Sequence, residues 1–200
     1  MPTDIPPLTF GNFYHIYNRG NNHEDIFLEE RNYDYFLNLW WKHTSPIAET
    51  WAYCLLRNHF HVVVYIKDRE DLENLTGLKA DLSGFKDPSK YFSNFFNAYA
   101  RGFNISAKRS GALLERPFKR IPVDSTAYLM QLIVYIHQNP QKHRFTEDFR
   151  DWKHSSYHVL ASDITSSLQR ERVMKLFGSR EDFVRIHQEI QPWDGLEDVE

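Results

Sequence analysis

Residues 51–66 read WAYCLLRNHFHVVVYI. Two runs rich in β-branched and aromatic residues are separated only by Arg57 and Asn58. A link that short reverses the chain, so the two runs read as a β-hairpin. The middle of the sequence is thereby committed to an antiparallel sheet, and the flanking segments must extend or cover it.

FYHIYN (12–17) alternates and reads as a further strand, followed by a turn at NRGNN. From near Asp25, DIFLEERNYDYFLNLWWKH sets Tyr33, Phe36, Leu37, Trp40 and Trp41 at helical spacing. After the hairpin, the pattern predicts a polar helix over Glu70–Leu82, a break at GFKDPSK, and a longer helix from about Tyr91 to Phe103. GALLERPFKRIPV (111–123) reads as extended, its Pro117 pointing to an edge or irregular strand. Asp124 or Ser125 is the expected N-cap of TAYLMQLIVYIHQN, with Pro140 closing that helix. This order predicts an α+β fold, an antiparallel sheet with helices on one face. DWKHSSYHVL, LQRERVMKLFG and REDFVRIHQEI follow as a helical C-terminal extension. The expected division is a core over 8–145 and an extension over 146–200.

Two hundred residues can bury a core without covalent staples. Cys54 is the single cysteine, which excludes an internal disulfide. No apolar run has transmembrane length and the N-terminus has no leader pattern, so a soluble cytoplasmic protein is expected, without a membrane partner. The net charge of −3 argues weakly against general nucleic-acid binding. Its distribution matters more. Between Arg101 and Arg144 lie eight basic residues against Glu115 and Asp124, while the acidic residues gather after Glu147. Such a segment can meet phosphates, or it can be an ordinary solvated face.

Along a strand, residues i and i+2 share a face. His59 and His61 therefore project together, with Phe60 turned the other way. The pair could share a divalent ion, or simply be polar residues on a solvent-facing strand. A complete metal site needs further ligands. Tyr135 and Asn139 stand four apart in VYIHQNPQKHR, on one helix face, and His137 points elsewhere. A phenol, with an unperturbed pKa of about 10, is a poor nucleophile at neutral pH. A divalent ion beside a phosphate offsets that weakness by polarising the phosphorus. The amide oxygen of Asn139 suits a hard cation. In the plainer reading, Tyr135 is a core aromatic and Asn139 caps the helix.

YHIYNRGNN, AYCLLRNHFHVVV, the basic GALLERPFKR, YIHQNP and DWKHSSY occur in this order. Together they make the chain resemble the single-tyrosine HUH transposases, most closely the REP-associated branch, over about Phe13 to Ile190. The resemblance implies a ferredoxin-like or RRM-like core, with His59 and His61 as ligands of Mg or Mn and Tyr135 as nucleophile. Asn139 stands where related enzymes carry a metal-contacting Gln. The implied activity is a single-stranded DNA endonuclease and strand transferase that works through a 5′-phosphotyrosine link at hairpin or palindromic sites, as monomer or homodimer. Arg19, Tyr99, Arg101, Arg116, Lys119 and Arg120 are the candidate DNA contacts. The alternative is a domesticated nucleic-acid-binding module in which Tyr135 is idle.

Overall fold

The computed structural model describes residues 5–68, 70, 72 and 87–189. Four strands form one sheet: β1 (Asn12–Arg19), β2 (Ala48–Leu55), β3 (His59–Ile66) and β4 (Lys119–Val123). The order is β2-β3-β1-β4, and every pairing is antiparallel. The hairpin is β2–β3, closed by the Leu56 amide donating to the His59 carbonyl at 2.8 Å. β4 is a short edge strand, where Pro122 costs no inner hydrogen bond. Upstream of it only Leu114 bridges the sheet, opposite Gly20.

Among the described residues, the α-helices that accompany the sheet are α1 (Glu30–Thr44), α2 (Pro88–Ser106), α3 (Thr126–Lys142), α4 (Tyr157–Ala161), α5 (Arg170–Phe177) and α6 (Arg180–Gln188). The polar helix expected over Glu70–Leu82 falls, residues 70 and 72 apart, outside the described residues. α1 begins later than its spacing suggests. The Ile26 and Phe27 amides both donate to the Arg57 carbonyl, at 2.8 and 3.0 Å, so this stretch latches onto the hairpin turn instead of coiling. α2 begins earlier, because Asp87 caps it through the Ser89 amide and Pro88 occupies the first helical position, where a missing amide is harmless. Ser125, not Asp124, caps α3 by accepting from the Tyr128 amide. Pro140 does not close α3. In the last turn its ring forfeits one hydrogen bond, and the helix continues to Lys142, with the His143 amide reaching the Asn139 carbonyl at 2.9 Å.

Adjacent residues on β3 sort the layers. Phe60 packs on Phe36 of α1 at 4.9 Å between ring centres, and Phe36 meets Phe95 of α2 at 4.8 Å. Both helices therefore cover the Phe60 face. His61, on the opposite face, meets Tyr135 of α3 at 6.1 Å. α1 and α2 take one face as expected, and α3 adds a layer on the other. Tyr99, a candidate DNA contact, belongs to the aromatic core between α1 and α2. It is 0% exposed and its hydroxyl donates to the Ile26 carbonyl at 2.5 Å, so it has no surface to offer DNA.

The C-terminal extension packs on α3 and the sheet. The Leu55 amide donates to the His154 carbonyl and the Ser156 amide to the Tyr53 carbonyl, each at 2.9 Å. Residues 154–156 thus line the outer edge of β2, which would otherwise expose unpaired backbone. A buried chain of side chains completes the joint. His187 Nδ1 contacts the Phe183 carbonyl at 2.7 Å, His187 Nε2 contacts His137 Nδ1 at 2.8 Å, and His137 Nε2 contacts Ser156 Oγ at 2.7 Å. A carbonyl only accepts, so the His187 proton sits on Nδ1. His137 then donates to His187, and Ser156 to His137, with both imidazoles neutral. Burial pushes His187 down to about 4 and His137 well below the usual histidine value.

Two predictions follow from this packing. Tyr99→Phe leaves the Ile26 carbonyl without its buried donor and costs about 1–2 kcal/mol in denaturant unfolding. Unaltered stability would contradict the core role. For the histidine pair, the folded values lie below the unfolded value of about 6.5. Their stabilisation is present above that pH and lost as pH falls towards 4. His187 alone accounts for a decline on the order of 3 kcal/mol across that window, and His187→Gln gives a shallower decline when unfolding is followed from pH 7 to 4.5.

Candidate active site

β3 carries His59 and His61 onto the α3 face of the sheet, 6% and 1% exposed. Their rings stand perpendicular with centres 5.2 Å apart. Asn58 Oδ1 lies 2.7 Å from His59 Nδ1. An amide oxygen only accepts, so His59 carries its proton on Nδ1 and its lone pair on the buried Nε2. His61 Nδ1 lies 3.0 Å from His15 Nε2 of β1. Burial, reinforced by the neighbouring His15 and His59, holds His61 well below the usual histidine value. It is therefore a neutral base at physiological pH, the state a metal requires.

α3 brings its polar stripe over this pair. Tyr135 and Asn139 are buried, and neither the Tyr135 hydroxyl, nor the two amide atoms of Asn139, nor His61 Nε2 has a hydrogen-bond partner among the described residues. Orphaned buried polar atoms cost stability, and here they converge on one place. The stripe continues into residues that ending the helix at Pro140 had hidden. The Lys142 ammonium stands 5.0 Å from the Tyr135 ring centre, and the His143 ring lies 5.0 Å from that of His59. The spacing 135, 139, 143 is one helical face, so the signal was present once the helix was allowed to pass the proline.

Among the described residues, no group of three or more His, Cys, Asp or Glu is arranged to hold an ion. The convergent donors are two imidazoles and an amide. Neutral imidazole lone pairs beside a partnerless amide oxygen fit a divalent cation and leave room in its shell for phosphate oxygens and water.

The basic candidates divide between two clefts. A small one, lined by Tyr17, Arg19, His59, His61 and Lys119, opens beside the histidine pair. Lys119 lies 5.8 Å from the Tyr17 ring centre and 3.4 Å from Glu115. Arg19 is 3.4 Å from His23 Nδ1. A larger cleft of about 690 Å³ runs between α2 and residues 111–118, bordered by Arg101, Arg116 and Arg120. Arg101 and Arg116 are exposed, and Arg116 reaches Asn97 at 3.4 Å. Arg120 is committed to the fold. Its guanidinium donates to the Pro6 carbonyl and to Ser89 and lies over Phe118, which places it poorly for a phosphate. Among the described residues, no helix is long and apolar enough to cross a membrane.

No protein-family model matches the chain. A Haemophilus influenzae protein whose name assigns it to the REP-associated tyrosine transposases is 26% identical over 114 residues, covering 55% of this chain. The match spans 59% of that protein's length. A solved structure of a REP-associated tyrosine transposase bound to a REP hairpin superposes with a TM-score of 0.60 at 16% identity, covering 84% of this chain and 90% of that one. Its likeness establishes the shared α+β fold. Local sequence and overall fold point the same way: over part of its length the chain is similar in sequence to one REP-associated tyrosine transposase, and it is similar in fold to another.

Proposed function

We propose that this chain is a divalent-metal-dependent nuclease and strand transferase acting on single-stranded DNA near hairpins. The observation that carries the reading is that Tyr135, on the same face of α3 as Asn139, packs on His61 beside His59, and that Tyr135, Asn139 and His61 all hold buried polar atoms with no partner among the described residues. His59, His61 and Asn139 would hold the cation. When bound, it supplies charge that polarises the scissile phosphate.

The chain's own groups do the rest. Tyr135, whose ring centre lies 6.1 Å from that of His61, would supply the nucleophile from a helix packed on the sheet, which limits the search for an attacking position. Its oxygen attacks phosphorus, the Oη–P bond forms and the P–O3′ bond breaks. The phenol gives up its proton and the departing 3′ oxygen gains one. The phosphodiester energy is kept in the 5′-phosphotyrosine link, so the reverse attack by a 3′ hydroxyl rejoins DNA without another energy source. Arg19, Lys119 and Lys142 put positive charge around this point, where phosphate oxygens would lie. Arg101 and Arg116 lie along the α2 cleft and would track a strand leading from it. The hairpin bound by the structural neighbour supports the choice of substrate.

With Mn²⁺ and labelled hairpin-bearing single strands, native chain forms a covalent adduct that survives denaturing electrophoresis, and Tyr135→Phe forms none. An adduct with Tyr135→Phe refutes the assignment of the nucleophile. Binding without any adduct, with any divalent ion, means a DNA-binding module instead. Asn139→Leu removes a buried amide that has no partner among the described residues. Unfolding of the metal-free variant is expected to be unchanged or up to about 1 kcal/mol more stable, while calorimetry shows weaker Mn²⁺ binding. A loss above about 1 kcal/mol would mean that the amide serves the fold.

A further inference from the structure

His15 lies on β1, 0% exposed, with its Nε2 3.0 Å from His61 Nδ1 and its ring stacked on that of His61 at 5.1 Å. Tyr17 packs against both rings, its centre 4.9 Å from that of His15 and 5.8 Å from that of His61. The remaining nitrogen of His15, Nδ1, has no hydrogen-bond partner among the described residues. Nothing in packing alone asks for an imidazole here, since an apolar ring would fill the same space.

Two neutral imidazoles share this hydrogen bond, and only one can donate. If His15 Nε2–H donates, His61 carries its own proton on Nε2, pointing towards Tyr135 and Asn139, and the lone pair a cation needs is gone. If His61 Nδ1–H donates to the lone pair of His15 Nε2, His61 Nε2 is a bare donor atom facing the site. The direction of one bond between β1 and β3 thus decides whether His61 can bind metal. The Asn58 Oδ1, which can only accept, settles the same question for His59.

We infer that His15 is a positioning residue: it accepts the Nδ1–H of His61 and so holds that imidazole in the orientation and tautomer that bind the cation. This rests on the metal reading of the His59–His61 pair. Outer partners of metal-bound histidines commonly set affinity by 10–100-fold.

The test uses the full chain with Mn²⁺, the free ion being followed by electron paramagnetic resonance. His15→Phe keeps the ring volume without an acceptor and weakens Mn²⁺ binding at least tenfold. His15→Gln offers an amide oxygen and recovers part of that loss. Thermal unfolding reports whether each variant is folded. Equal affinities for native chain and folded His15→Phe overturn the proposal while leaving the metal site standing, as does a folded His15→Gln no better than His15→Phe. A native chain that binds no Mn²⁺ overturns the metal reading and the proposal with it. A second measurement needs no variant. Long-range ¹H–¹⁵N spectra of the histidine-labelled chain with Mg²⁺ show His61 protonated on Nδ1, and a proton on Nε2 instead overturns the inference.

Discussion

The register in which β1 pairs with β3 decides whether the chain has a site at all. Tyr17 stands opposite His61 and Arg19 opposite His59. That places Arg19, Tyr17 and His15 on the face shared by the two histidines. A slip of one residue would exchange this set for Tyr14, Ile16 and Asn18, which now face α1 and α2. The apolar side of β1 resists the slip, because Ile16 is wholly buried and would leave its apolar packing for the polar face of the sheet. Core packing on one face therefore fixes the polar constellation on the other.

α3 binds the two halves of the chain into one unit. One side of the helix carries Tyr135 and Asn139 towards the sheet, and another carries His137 into the chain of hydrogen bonds with Ser156 and His187. The C-terminal extension reaches the same helix that holds the tyrosine. The contrast in satisfaction is informative. The His137 network is joined end to end by hydrogen bonds, whereas Tyr135, Asn139 and His61 keep partnerless polar atoms among the described residues.

Much of this was legible in the sequence. The hairpin followed from a two-residue link, the strand at FYHIYN from alternation, and the pairing of His59 with His61 on one strand face and of Tyr135 with Asn139 on one helix face from the periods of strand and helix. What the sequence withheld was long-range. Helical spacing could not reveal that Ile26 and Phe27 donate to Arg57 instead of coiling. His15 lay in plain view, two residues before Tyr17, but its partner is 46 positions away and set by strand register. Lys142 and His143 were lost to the rule that proline ends a helix, which is weak in a last turn. Tyr99 resembled a base-stacking aromatic until burial placed it in the core. Residue type alone does not separate an aromatic that stacks on DNA from one that fills a core.

The segment 154–156 has a consequence beyond stability. It occupies the backbone of β2 that a second copy would use to continue the sheet. At the opposite rim, β4 is five residues long and interrupted by Pro122. A sheet stopped at one end by its own tail and at the other by a proline gives no template for growth from molecule to molecule.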